Sequence, residues 1–212
     1  MDTINYIAKK YNIDIAQPSP IYMAADRGIL PVLFRELGLK VGAEVGVLEG
    51  VFSEVLCKEM PEAKIYSIDP WVFYPVHKNF RKQKDYDRIY PIAVNRLSAY
   101  PNNEIIRKKS VEAAKDFADE SLDFVFIDGD HEFQAITNDI CEWIKKIKKG
   151  GILSGHDYGR SHTGEFGNVK DVVLAYTFSK KISPWFVLEE KAYMNNRDSG
   201  AYRETSFFWV KQ

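Results

Sequence analysis

Leu122-Asp123-Phe124-Val125-Phe126-Ile127-Asp128 is the stretch on which the fold turns. It is a nearly continuous apolar run ending in a carboxylate, the composition of a parallel strand covered on both faces. Beyond it, Phe133, Ile136, Ile140, Trp143, Ile144 and Ile147 recur at helical spacing and predict an amphipathic helix. Lysines and the pair Gly150-Gly151 are expected to close that helix, as the helix dipole and a glycine cap favour. Gly151-Ile152-Leu153-Ser154-Gly155 then reads as the next strand.

The same alternation extends in both directions. Upstream, Ala43-Glu44-Val45-Gly46-Val47 reads as a short buried strand running into a glycine turn, and 52–60 as a helix stopped by Pro61. Lys64 to Asp69 is a second strand with an acid at its end, 85–100 a helix, Glu104 to Arg107 a third strand, and 111–117 a short helix. Downstream, Trp185 to Glu189 and Ser206 to Val210 read as two strands joined through 191–205, where Asn195-Asn196-Arg197-Asp198-Ser199-Gly200 is loop chemistry. The pattern predicts an α/β fold: a doubly wound, mostly parallel seven-stranded sheet finished by an antiparallel strand pair. Residues 1–40 read as a helical N-terminal lead-in, with a short helix over 29–38, and residues 41–212 as one domain.

Composition narrows the function classes. Lys+Arg 29 against Asp+Glu 30 gives a formal net charge of -1 in 212 residues, so charge offers no argument for nucleic acid or an anionic membrane. The basic run Arg81-Lys82-Gln83-Lys84 reads as a solvated face. Two cysteines, Cys57 and Cys141, form no CxxC pair and suit a reducing compartment. Met1 to Asn12 lacks an apolar signal core, and no apolar run approaches the roughly 20 residues of a membrane span, so a cytoplasmic protein is expected.

In doubly wound sheets, ligands bind beyond the carboxyl ends of the strands, where strand order reverses. Five such ends carry polar residues: Glu44-Val45-Gly46, Asp69, Ser110, Asp128 to His131, and Ser154 to Tyr158. The turn Glu44-Val45-Gly46-Val47-Leu48-Glu49-Gly50 lacks the middle glycine of the dinucleotide fingerprint. Its two glutamates suit a cofactor with positive charge better than a pyrophosphate. Asp69, 23 residues after Gly46, can accept two ribose hydroxyls.

Glu-x-Gly-x-x-x-Gly, the acid closing the next strand, Phe126 to His131 and Gly150 to Tyr158 together resemble class I S-adenosylmethionine-dependent methyltransferases. Within these the chain is most similar to small bacterial-type O-methyltransferases of the catechol, macrocin and cephamycin group, over roughly residues 40–212. The resemblance implies that Glu44, Gly46 and Gly50 cradle the methionine part of S-adenosylmethionine and Asp69 its ribose. Ser110 would lie near the adenine, although a helix N-cap serves as well for that residue. Asp128 would stand close to the sulfonium and the acceptor.

Metal-dependent relatives hold a divalent cation with an acid ending strand four and two ligands just after strand five. The matching positions are Asp128 or Asp130, then His156 and Asp157. Carboxylates suit Mg²⁺, whereas an imidazole at His156 suits other divalent ions, so metal dependence stays open at this stage. His156 is the leading candidate for general base, with Asp128 and His131 as the other catalytic candidates. His131 is read equally as an acceptor contact or as a support for Asp130.

His77 and His162 read as surface residues, Trp143 and Trp209 as core. Segments 71–84 and 158–167 have the composition of lids, with core packing an equal reading of Trp71 and Phe73. The expected acceptor is a hydroxylated small molecule or sugar, and the N-terminal helices offer a surface for a homo-oligomer. Two competing readings remain: a nicotinamide-dependent oxidoreductase and a catalytically silent nucleotide-binding module.

Overall fold

The computed structural model describes residues 2–73, 82–159, 168–190 and 205–212. Along the chain run α1 (Thr3–Tyr11), β1 (Ile21–Ala24), α2 (Ile29–Glu36), β2 (Val41–Val45), α3 (Val51–Glu59), β3 (Lys64–Ile68), α4 (Gln83–Leu97) and β4 (Asn103–Ile106). There follow α5 (Ser110–Ala114), β5 (Leu122–Ile127), α6 (Phe133–Lys146), β6 (Ile147–Gly155), α7 (Val169–Ser179), β7 (Trp185–Glu189) and β8 (Thr205–Val210).

The strands form one sheet in the order β1-β7-β8-β6-β5-β2-β3-β4. β8 runs antiparallel to both neighbours, β6 and β7, while the other pairings are parallel. From β2 the chain proceeds outward through β3 to β4, then returns to place β5 on the other side of β2. Strand order therefore reverses between β2 and β5, and a doubly wound sheet offers its ligand crevice there.

Period-two alternation along the central strands divides the core. Phe124 and Phe126 face α1, α2 and α3, where Phe34 stacks on Phe124 at 4.3 Å and Phe52 leans on Phe126 at 4.3 Å. Val125 and Ile127 face the opposite side, against Ile136, Ile140 and Trp143 of α6 and Val172 and Val173 of α7. The near-continuous apolar run thus serves two cores at once.

Three features differ from the sequence expectation. The sheet has eight strands rather than seven, because Ile21–Ala24 of the lead-in adds to the β7 edge in parallel register. Four residues behind Pro18 and Pro20 carry too short a pattern to announce a strand, and only the β7 edge supplies its partners. Gly150-Gly151 does not cap α6. Ile147 is already extended, and the glycines lie within β6, where Gly150 N–H donates to Lys211 O and Lys211 N–H to Gly151 O, each at 2.8 Å. The end of β8 therefore draws this stretch into the sheet. Finally, α7 crosses back between β6 and β7 without a clear amphipathic signature; Val172 and Val173 are buried while Leu174 and Phe178 are exposed.

Trp143 and Trp209 are core residues, as read from the sequence. Trp71 is also fully buried; it meets Tyr90 of α4 at 4.9 Å and donates its indole N–H to Leu48 O. His77, His162 and most of both lid candidates, 74–81 and 160–167, lie outside the described residues, as does 191–204.

Candidate active site

Sheet register brings the candidate residues to a common edge. Val45 pairs with Ile68 on one side and Ile127 on the other, and Ile127 pairs with Gly155. The next residue of each strand, Gly46, Asp69, Asp128 and His156, therefore lies just past the sheet's carboxyl edge. Backbone bonds lock the step: Gly46 N–H donates to Ile68 O at 2.8 Å, Asp128 N–H to Val45 O at 2.7 Å and His156 N–H to Ile127 O at 3.0 Å.

The glycine turn departs from this edge under tight constraint. Gly46 has φ +91°, and a Cβ there would lie 2.2 Å from Asp128 O, so the turn and the end of β5 touch backbone to backbone. Gly50 has φ +79° at the N-cap of α3, where no side chain caps the helix. Asp69 pins what lies between. Its Oδ2 accepts the N–H groups of Val47 and Leu48, both at 3.0 Å, and Oδ1 accepts that of Trp71 at 2.7 Å. Burial pushes the Asp69 carboxyl above its ordinary value, and the three N–H donors pull against that shift.

Glu44 is buried beneath the turn. Ser53 Oγ of α3 donates to its Oε2, and the network continues from Ser53 to Ser67 at 2.6 Å and from Asn103 Nδ2 to Ser67 Oγ at 2.7 Å. Burial raises Glu44 to about 8; the Ser53 bond opposes this, and the negative charge of Asp128 adds to it. A cation arriving above Glu44 would favour the ionised form.

Asp128, His131 and Asp157 form a compact group whose ligand atoms all lie within 4.8 Å of one another. His131 Nε2 is 3.2 Å from Asp157 Oδ2 and 3.8 Å from Asp128 Oδ1. His156 flanks it, with Nδ1 3.5 Å from Asp157 Oδ2 and 3.9 Å from Asp128 Oδ1. Two carboxylates and an imidazole fit a divalent transition ion better than Mg²⁺, which favours all-oxygen sets. Asp130 and His156, expected among the ligands, are not members of the group; Asp130 Oδ1 accepts the Glu132 N–H at 2.9 Å. His131 is the third member of the group.

Ser110 is the first residue of α5, and the N-cap position belongs to Lys109, which makes no side-chain cap bond. The N-cap reading of Ser110 is therefore corrected: its hydroxyl turns to α6, donating to Asp139 Oδ1 and accepting the Trp143 indole N–H at 2.8 Å. Burial raises Asp139 to about 7.

One site residue escaped the sequence reading. Arg27, between β1 and α2, donates from Nη1 to Asp128 Oδ2 at 3.0 Å, and its Cζ lies 5.3 Å from the Phe52 ring centroid. Asp26-Arg27-Gly28 has no periodicity or motif to mark it, and only the packing of α2 on α3 brings it to the strand ends.

The fold is similar to solved methyltransferases. The O-methyltransferase TomG from Streptomyces achromogenes, in complex with SAM, superposes with a TM-score of 0.62 at 12% identity, covering 100% of this chain and 91% of that one. The O-methyltransferase from Bacillus cereus, in complex with SAH, gives 0.59 at 17% identity over 98% and 89%. The N-methyltransferase NodS from Bradyrhizobium japonicum gives 0.57 at 14% over 88% and 95%. By sequence, an uncharacterized protein of Acanthamoeba polyphaga mimivirus is 26% identical over 115 residues, 54% of this chain, and the match spans only 50% of that relative's length. A family model described as a methyltransferase domain matches residues 43–158, which run from β2 through the glycine turn, Asp69, Asp128 and His131 to the residues just after His156 and Asp157. That is more than half of the 212 residues, and the chain belongs to this methyltransferase family.

Proposed function

We propose that this chain is an S-adenosylmethionine-dependent O-methyltransferase acting on a hydroxylated small molecule or sugar. The observation that carries the reading is the convergence of the Gly46 turn, Asp69, Asp128 and His156 on one sheet edge at the strand-order reversal. A glycine turn that admits close approach, clasped by Asp69 and touching the end of β5 at Asp128, suits a ligand bearing a sulfonium. On this reading the methionine part lies over Glu44 and the Gly46–Gly50 turn. The ribose meets the remaining lone pair of Asp69 Oδ1, and the adenine lies toward Ser110.

The acceptor oxygen attacks the methyl carbon in line with the carbon–sulfur bond, which breaks as the new oxygen–carbon bond forms. The sulfur keeps the electron pair and leaves neutral, so the protein's tasks are alignment and removal of the hydroxyl proton. His156 is the proposed base. With Asp157 and Asp128 facing Nδ1, the tautomer protonated there is favoured and Nε2 is left to accept the proton. Asp128, His131 and Asp157 would hold a divalent cation, which when bound lowers the pKa of an acceptor hydroxyl.

Among the described residues no helix is long and apolar enough to cross a membrane, and Cys57 and Cys141 are free thiols. The free thiols suit a reducing compartment such as the cytoplasm. Calorimetric titration with S-adenosylmethionine, followed by a radiolabelled methyl-transfer screen over hydroxylated acceptors with and without chelator, tests the reading. Absence of S-adenosylmethionine binding overturns it.

A further inference from the structure

The outward side of α7 carries an apolar stripe. Val172 and Val173 turn into the core, whereas Leu174 and Phe178 stand exposed, Phe178 at 87%. The two are four residues apart and lie one above the other on a single helix face. Among the described residues no other pair of exposed large apolar side chains has this spacing on one helix, and Phe178 is the most exposed of them all. Single apolar residues are ordinary on a surface, but a phenyl ring almost wholly in water beside a leucine is a face suited to being covered.

Charges border the stripe at both ends. Asp171 lies one turn before Leu174, and Lys180 and Lys181 follow Phe178 where the helix ends. All three are exposed, and none enters an ion pair among the described residues. Asp171, Leu174, Phe178 and Lys181 thus succeed one another at intervals of three, four and three, the spacing of a seam between paired helices. An acid opens that seam and a base closes it.

Such an order is self-complementary. In a twofold pair of antiparallel α7 helices crossing at the level of Tyr176, Phe178 of each copy meets Leu174 of the other. The same axis sets Asp171 against Lys181, because both pairs are centred on position 176. One register therefore matches apolar and ionic partners together, and it also opposes the two helix dipoles. A border of one sign would call for a partner of the other sign. A border with one sign at each end is matched by its own copy after a half rotation.

The N-terminal helices, expected to offer an oligomer surface, present polar side chains instead: Asn5, Lys9 and Lys10 on α1, Arg35 and Glu36 on α2. The start of α7 is anchored at the site, where Asn168 N–H donates to His131 O at 2.9 Å. Its stripe faces away from the sheet, so pairing there leaves the carboxyl edge open to ligands. We propose that the chain forms a twofold homodimer through antiparallel α7 helices, with Phe178 packed on Leu174 and Asp171 paired with Lys181 of the second copy.

The test is sedimentation equilibrium of the full chain, with circular dichroism to verify the fold of each variant. Wild type is expected to dimerise with a Kd of about 1–10 μM, in keeping with a contact built on one 11-residue helix. Phe178→Asp, at an exposed position, should keep the fold and weaken the dimer by about 10- to 100-fold. Asp171→Lys and Lys181→Asp should each weaken it by about 3- to 10-fold, and the two together should restore it. A wild type that stays monomeric at about 100 μM overturns the proposal, including one that binds lipid vesicles or another protein through this face instead. A dimer unchanged by Phe178→Asp has its interface elsewhere and overturns it as well. A double charge variant no tighter than the single ones overturns the antiparallel register.

Discussion

Asp69 Oδ2 accepts the backbone N–H of Leu48 at 3.0 Å, and by this bond a strand-end acid holds a loop residue at φ 50°. Together with its bonds to Val47 and Trp71, this makes Asp69 the clasp of the glycine turn as well as the proposed ribose acceptor. Asp69→Ala is expected to destabilise the fold by about 1–3 kcal/mol and to weaken S-adenosylmethionine by about 1.5–3 kcal/mol. Urea denaturation reads the first effect and calorimetry the second. Unchanged affinity would reject the ribose assignment.

Gly46→Ala should be among the most damaging small substitutions in the chain. The added Cβ meets Asp128 O at 2.2 Å, where backbone rather than a flexible side chain would have to yield, and φ +91° is strained for any other residue. A loss of about 2–4 kcal/mol is expected, with impaired cofactor binding in whatever remains folded. Wild-type stability in this variant would contradict the close approach of β2 and β5.

Glu44 gives the stability a pH dependence of defined sign. Its folded value, about 8, lies above the ordinary 4.5, so between these limits the folded protein holds a proton that the unfolded chain has released. The unfolded state then binds fewer protons, and this group's contribution to stability falls as pH rises through that window. Glu44→Gln should flatten the profile and exceed wild type by about 1–2 kcal/mol near pH 9, measured by urea denaturation across the window. A profile identical to wild type would show that Glu44 is ionised throughout.

The two histidines predict separable kinetics. As general base, His156→Ala should lower kcat by about 10²–10⁴-fold with cofactor affinity intact. His131→Ala should weaken any bound divalent ion, so that added metal restores part of the rate, and exhaustive chelation should mimic the variant in wild type. Full activity after chelation, with no metal by elemental analysis, would leave His131 without a ligand role. Full activity of His156→Ala with a normal pH profile would remove it as base.

The central architecture was legible because it rests on local pattern. Continuous apolar strands, helices with one buried stripe and carboxylates at strand ends are properties of short windows, and each implies burial on particular faces. Residues 122–128, the Glu44–Gly50 turn, Asp69 and the antiparallel pair were readable in that way. Windows also mislead where a partner decides. Gly150-Gly151 has the composition of a helix cap, and becomes strand because Lys211, the residue after β8, supplies hydrogen bonds there. Ile21–Ala24 is too short to declare itself, and β7 makes it a strand.

From its sequence alone this protein had a doubly wound sheet, a glycine turn incompatible with the dinucleotide fingerprint and an edge of acids where a ligand must lie. Those follow from periodicity, from the positive φ that glycine alone adopts freely and from the fixed φ of proline. Which of the polar residues meet was decided only in three dimensions. Asp130 and His131 are adjacent in sequence, yet Asp130 accepts the Glu132 N–H while His131 approaches Asp157, 26 residues onward. Arg27 and Asp128 are 101 residues apart, and no local pattern encodes their 3.0 Å contact. It exists because α2 packs on α3 while β5 inserts beside β2, and long-range packing of that kind is a property of the whole chain.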